Sequence, residues 1–200
     1  MGRAVTAFPH PRSARRLSPT AAPVLIVKWD DYPPAAAAFV ELRRRLGRSK
    51  TPELAILSGH GSIAPTHPAL DAGALVLTSE PGATRFRRRL PATSSILTLG
   101  KETTIDPRPV VQALQDRGHR LILSEAGPHG FGTLATAGLV DELFLTLSPL
   151  LAGSADDARR FALVEGVDLL PQHVEGRLLG LRRQGAHLFL RYELKRSPAL

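Results

Sequence analysis

The stretch with the most chemistry-bearing residues is Leu123-Ser124-Glu125-Ala126-Gly127-Pro128-His129-Gly130-Phe131-Gly132. An apolar run leads into a turn with three glycines and then into a helical pattern. Gly127, Gly130 and Gly132 would let backbone approach a ligand, and free amides at a helix start favour a phosphate. Glu125, at the strand tip, is placed to accept from a sugar hydroxyl or a ring N–H. The same residues also fit a tight strand-to-helix connection in which glycine serves packing alone. A glycine-rich turn does not by itself decide between the two.

Other residues add little chemistry of their own. The chain has no cysteine, which excludes a thiolate zinc site and a cysteine nucleophile. His10, His60, His67, His119, His129, His173 and His187 show no metal-ligand spacing, so no metal is expected. Asp30 and Asp31 precede an apolar helical pattern and fit helix caps. No nucleophile–base pair stands out, and no catalytic residue is assigned. Arg43, Arg44, Arg45, Arg48 and Lys50 form one basic cluster, and Arg85, Arg87, Arg88 and Arg89 a second. Most of these read as solvated surface, although an arginine of the second cluster suits a phosphate.

The elements that must position these groups alternate. Val24–Val27, Leu54–Leu57, Ala74–Leu77, Ile96–Leu99 and Arg120–Leu123 read as strands. Between them, Phe39, Leu42 and Leu46 recur at helical spacing before Gly47. Asp106-Pro107 opens a helix with Val110, Val111 and Leu114 as its apolar face, and Gly118 closes it. A further helix follows the glycine turn, with Phe131 and Leu134 inward and Gly138 as its stop. The last third changes character: Leu143, Leu145 and Leu147 alternate with polar or aromatic residues, and Val174–Arg183 pairs through Gln184-Gly185 with the alternating run ending at Leu194. Strand–helix alternation followed by a hairpin predicts an α/β fold with a mixed, mostly parallel sheet covered by helices on both faces.

The chain has 200 residues and a net charge of +8, with 43% hydrophobic and 22% charged residues, ordinary for a globular domain. Half of the excess lies in residues 1–20, which hold Arg3, Arg12, Arg15 and Arg16 and no acid. We expect residues 1–20 to be a disordered basic tail and residues 21–196 to be the domain. No aromatic-rich motif supports nucleic-acid binding, and no apolar run reaches the roughly 20 residues of a membrane helix. The expected setting is the cytoplasm.

Three segments resemble one family. They are Ser124-Glu125-Ala126-Gly127-Pro128, Ala137-Gly138-Leu139-Val140-Asp141-Glu142-Leu143 and Ser148-Pro149-Leu150-Leu151-Ala152-Gly153. Their order is similar to the EGGP turn, GLVDEL segment and strand end of the reductase domain of the bifunctional riboflavin-biosynthesis deaminase/reductase. The resemblance implies a dihydrofolate reductase-like fold, a homodimer and NADPH-dependent reduction of a small-molecule substrate, a ribosylamino-pyrimidine or similar heterocycle. It places the cofactor pyrophosphate at Gly127, Pro128, His129, Gly130, Phe131 and Gly132, and Glu125 toward the substrate. It places Ser58 near the adenosine side and, through Val27-Lys28-Trp29-Asp30-Asp31-Tyr32, Asp30 near the cofactor. The family's opening strand and helix, with an S-L-D-G motif, have no counterpart in this reading. A second reading is therefore a truncated relic that keeps the fold and weak nucleotide binding without catalysis.

Overall fold

The computed structural model describes residues 4–7, 33–86, 89–150, 162–169 and 173–196. In chain order the elements are β1 (Ala4–Ala7), α1 (Pro33–Arg45), β2 (Ala55–Leu57), α2 (Pro68–Asp71), β3 (Leu75–Thr78), α3 (Glu80–Phe86), β4 (Ser95–Thr98), α4 (Pro107–Asp116), β5 (Leu123–Ser124), α5 (Pro128–Thr136), β6 (Glu142–Leu147), β7 (Val174–Gln184) and β8 (His187–Arg196). They divide into two compact units, Val24–Ile105 and Met1–Pro23 with Asp106–Leu200. The expected strand Val24–Val27, together with Trp29 and Asp30, lies outside the described residues.

In the Val24–Ile105 unit, β2, β3 and β4 form a parallel sheet in that order. Every residue of β3 is buried, as the uninterrupted Ala74–Leu77 run requires of a strand covered on both faces. Ile56, Val76, Leu70 and Phe86 form the core, joined by Ala69 and Ala74. Helix α1 ends where Gly47 takes a φ of +62°. Its apolar positions behave differently from expectation: Leu42 and Leu46 are 50% and 64% exposed. Glu41 ion-pairs with Arg44 and Arg45 one turn further on. Helical spacing identified the helix, but it did not identify a buried face.

The other unit holds a five-stranded sheet in the order β5-β1-β6-β8-β7. Strand β1 runs parallel to both neighbours, with Ala4 opposite Leu123 on one side and Glu142 on the other. This corrects the expectation that residues 1–20 are wholly without structure. Ala-Val-Thr-Ala has weak local strand character, and backbone pairing on both sides makes it a strand. Strand β5 is also shorter and later than expected, Leu123–Ser124 instead of Arg120–Leu123.

Helix α4 opens as predicted: the Asp106 carboxylate accepts from the Arg108 amide at 3.0 Å, Pro107 takes the first helical position, and Val110, Val111 and Leu114 are buried. The hairpin β7–β8 turns through Gly185-Ala186, with Gly185 alone at positive φ (+58°), the pattern of a type II′ turn. On β8, Tyr192 and Leu194 pack with Leu143 and Leu145 of β6 against Phe131, Ala135 and Val140. The opposite face carries Arg191, which grips Glu142 with two hydrogen bonds of 2.7 and 2.9 Å and lies over the Phe144 ring. Parallel pairings predominate, as expected, but the described strands form two sheets, one for each unit.

Candidate functional site

The strand–turn–helix read from the sequence is a single continuous feature in the second unit. β5 ends at Ser124, whose hydroxyl oxygen accepts from the Ala126 amide at 3.4 Å and tightens the turn. Gly127 is the N-cap of α5 and Pro128 occupies the first helical position. No side chain caps this end. Pro128 has no N–H, so the first-turn amides of His129 and Gly130 have no intrahelical acceptor. This end can therefore hydrogen-bond an anion, with the helix dipole adding to the attraction.

Glu125 stands between the strand end and this helix start. Its side chain is half-buried, and desolvation raises its pKa above the ordinary carboxylate value. Among the described residues it has no hydrogen-bond or ion-pair partner. A carboxylate losing water without a compensating partner is costly, and a ligand donor would supply one.

The three glycines have separate roles. A Cβ on Gly130 would lie 2.7 Å from the Ala126 Cβ, so this glycine lets the turn fold back on the helix. A Cβ on Gly132 would lie 2.9 Å from both the Glu165 carbonyl oxygen and Val167 Cγ2, and 3.2 Å from Val164 Cγ1. Gly132 is thus bare because the 162–167 segment packs onto α5 there. The packing reading accounts for Gly130 and Gly132, leaving Gly127 at the helix mouth. Phe131 points into the core at 4% exposure and is a structural residue of the helix.

The 162–169 segment is the part that periodicity missed, because it contains no helix or strand. The Glu165 amide donates to the Pro128 carbonyl at 3.2 Å, and its carboxylate oxygens meet the Ala162 amide at 3.3 Å and His129 Nδ1 at 3.2 Å. Gly166, at φ +76°, lies beneath the His129 ring, where a Cβ would come within 3.3 Å of Cδ2. The only sequence signal was an acidic residue followed by glycine.

Ser58 belongs to the Val24–Ile105 unit. It follows β2 and is 5% exposed. Its amide donates to the Leu77 carbonyl at 3.0 Å, and its carbonyl accepts from Thr78 Oγ1 at 2.6 Å and from the Gly61 amide at 3.1 Å. Ser79 Oγ donates to the Gly59 carbonyl at 2.6 Å and accepts from the Gly82 amide at 3.1 Å. Gly61 and Gly82 are in direct backbone contact: a Cβ on Gly61 would sit 2.7 Å from the Gly82 carbonyl oxygen. The parallel strand ends and the start of α3 are thereby locked together. Arg85 donates to the His60 carbonyl at 2.9 Å and so ties α3 to the turn after β2. Arg89 is exposed, while Arg87 and Arg88 lie outside the described residues. Among the described residues, no cluster of three or more His, Asp or Glu side chains could hold a metal ion. Nor is any helix among them long and apolar enough to cross a membrane.

A mixed sheet with a C-terminal hairpin, and a glycine turn leading from a strand end into an uncapped helix, agree with the dihydrofolate reductase-like fold that the sequence implied. The family profile of the RibD C-terminal domain matches residues 16–186, and the chain belongs to that family of reductase domains. Among solved structures, a pyrimidine reductase-like protein from Corynebacterium diphtheriae aligns at 20% identity and a TM-score of 0.64, covering 98% of this chain and 76% of that one. Acinetobacter baumannii RibD aligns at 19% identity and a TM-score of 0.56, covering 72% of this chain and 38% of that one. The riboflavin biosynthesis reductase Rib7 of Saccharomyces cerevisiae aligns at 14% identity and a TM-score of 0.54, covering 72% and 70%. At these identities the likeness is one of fold. No curated protein matches the sequence.

Proposed function

We propose that this chain is an NADPH-dependent reductase acting on a ribosylamino-pyrimidine or a similar small heterocycle, and that it works as a homodimer. The observation that carries this reading is the uncapped start of α5 directly after a half-buried Glu125 that has no partner among the described residues, in a chain of the RibD reductase family.

The residues present fit a dinucleotide. The His129 and Gly130 amides, with the helix dipole behind them, suit a diphosphate, and Gly127 brings no side chain into its path. The nicotinamide would supply a hydride, so the protein has to hold two ligands in register and provide polarity. Glu125 accepts a hydrogen bond from a substrate N–H or hydroxyl and so orients it. The family resemblance alone assigns Ser58 to the adenosine side and Asp30 to the cofactor. The relic reading rested on a missing opening strand and helix with their S-L-D-G motif. β1, paired between β5 and β6, supplies an interior strand of the sheet, which weighs toward the enzyme.

Calorimetric titration with NADPH and NADH, repeated on Gly127→Asp, tests the proposal. The new carboxylate would cap α5, which stabilises a helix by about 0.5–1 kcal/mol, yet it would stand where the diphosphate binds. We expect NADPH binding to be lost while thermal stability is kept or raised. A folded chain that binds neither nucleotide would return the relic reading. Sedimentation equilibrium tests the dimer, and a monomer at all accessible concentrations refutes it.

A further inference from the structure

Strand β7 is the outer edge of its sheet and pairs with β8 on one side only. Its 11 residues, Val174–Gln184, make a long edge whose outward N–H and C=O groups have no strand partner among the described residues. Such an edge is a template for a further strand. Two features of β7 decide which strand that is.

The first is uncovered apolar surface. Leu178 stands opposite Tyr192, and Leu181 opposite Leu190, whose own neighbour on β6 is Leu145. Both leucines therefore share the face on which Phe131 and Ala135 of α5 pack against Leu143 and Leu145. Yet Leu178 is 49% exposed and Leu181 56%. Helix α5 covers this face over β6 and leaves it open over β7.

The second is the order of the charges along the edge. On the opposite face, Glu175 lies near the start of β7 and Arg182 near its end. Arg177, between them, donates to Glu193 of β8 at 2.9 Å. Glu175 meets only the exposed His173 ring, at 3.4 Å, and Arg182 has no hydrogen-bond or ion-pair partner among the described residues. Edge charges ordinarily repel a second strand. Here they admit one arrangement. A second β7 running antiparallel, with Leu178 opposite the partner's Leu179, sets Glu175 opposite the partner's Arg182, and two-fold symmetry makes the reverse pair as well. An in-register parallel pair would set each charge against its like. The bulge between Leu178 and Gly180 falls on the two-fold axis, so the two irregularities meet each other and both arms pair regularly. On the other face, Leu181 comes diagonal to the partner's Leu178, and the two open leucine patches join.

We propose that β7 pairs antiparallel with β7 of a second copy of this chain, Glu175 facing the partner's Arg182, so that two five-stranded sheets become one continuous sheet. This gives the homodimer proposed above its surface and rests on that reading.

Charge exchange tests it. Glu175 and Arg182 are exposed, and circular dichroism checks that each variant is folded. In sedimentation equilibrium, Arg182→Glu turns two attractive pairs into repulsive ones and should weaken the dimer about tenfold to a hundredfold; Glu175→Arg should do the same. The double exchange Glu175→Arg with Arg182→Glu should return the dissociation constant to within about threefold of the native one. The chain has no cysteine, so mixing Glu175→Cys chains with Arg182→Cys chains under mild oxidation should give a disulfide-linked dimer that neither variant forms alone. A native dimer that Arg182→Glu leaves intact, or that the double exchange does not restore, overturns the β7 pairing and leaves the homodimer standing. A native chain that is monomeric at all accessible concentrations overturns both.

Discussion

Gly132→Ala separates two opposed effects at one position. In the middle of an ordinary helix this change stabilises by about 1 kcal/mol, because alanine loses less backbone entropy on folding than glycine. In α5 the new methyl would sit 2.9 Å from the Glu165 carbonyl oxygen, 2.9 Å from Val167 Cγ2 and 3.2 Å from Val164 Cγ1. One of these is a backbone atom of a residue bonded to Pro128, so relief requires the whole 162–167 segment to move. Overpacking of this kind costs about 1–3 kcal/mol, and loss of the Glu165 contacts places it toward the upper end. The net expectation is a destabilisation of about 1–2 kcal/mol. For a chain of this size each kcal/mol corresponds to about 2–4 °C, so Tm should fall by about 2–8 °C in calorimetry. Gly180→Ala is the internal contrast: a Cβ there meets nothing within 4 Å and its φ is not positive, so stability should hold or rise slightly. A higher Tm for Gly132→Ala would refute the packing of 162–167 on α5, and with it the account of why this glycine is present.

Two further perturbations probe other parts of the molecule. Ser79→Ala removes the hydroxyl that donates to the Gly59 carbonyl and accepts from the Gly82 amide at a fully buried position. A loss of about 1–3 kcal/mol is expected by chemical denaturation, and an unchanged midpoint would count against the strand-end lock. Glu125 has its pKa raised by desolvation, so the folded chain binds this proton more tightly than the unfolded chain does. Its contribution to stability is therefore full below the unfolded pKa and is lost as pH rises through the folded one. Glu125→Gln should be more stable than the native chain at neutral pH, with the difference vanishing in acid. Thermal melts at both pH values check this, and a less stable variant at neutral pH would contradict it.

Local chemistry made part of this molecule legible in advance. Asp106-Pro107 states its helix start in two residues, because capping and a preset φ act within a single turn. The hairpin was readable because alternation over β8 and the Gly185 turn agree on one register. Where long-range pairing decides, the sequence was silent. Ala4–Ala7 is a strand because β5 and β6 flank it, and nothing in its four residues says so. Helical spacing at Leu42 and Leu46 described a helix correctly without revealing that these leucines stay exposed. In the strand–turn–helix the turn itself was legible, and the sequence left open whether Gly130 and Gly132 serve a ligand or packing. Their close neighbours, Ala126 and the 162–167 segment, are visible only in three dimensions. Glu165 and Gly166 escaped notice because an irregular segment has no period to read.

The interior place of β1, between β5 and β6, sets the order in which the sheet can be completed. Its partners Leu123 and Glu142 lie more than a hundred residues downstream, and β5 touches the rest of the sheet only through it. On the ribosome the first strand is made early and must wait, unpaired, until most of the chain has emerged. β6 and the hairpin can assemble with each other meanwhile, since their contacts are closer in sequence. Closure of β1 is thus a late step, carrying the loop entropy of the whole intervening chain. The strand end that presents Glu125 is joined to its sheet only when that step is complete.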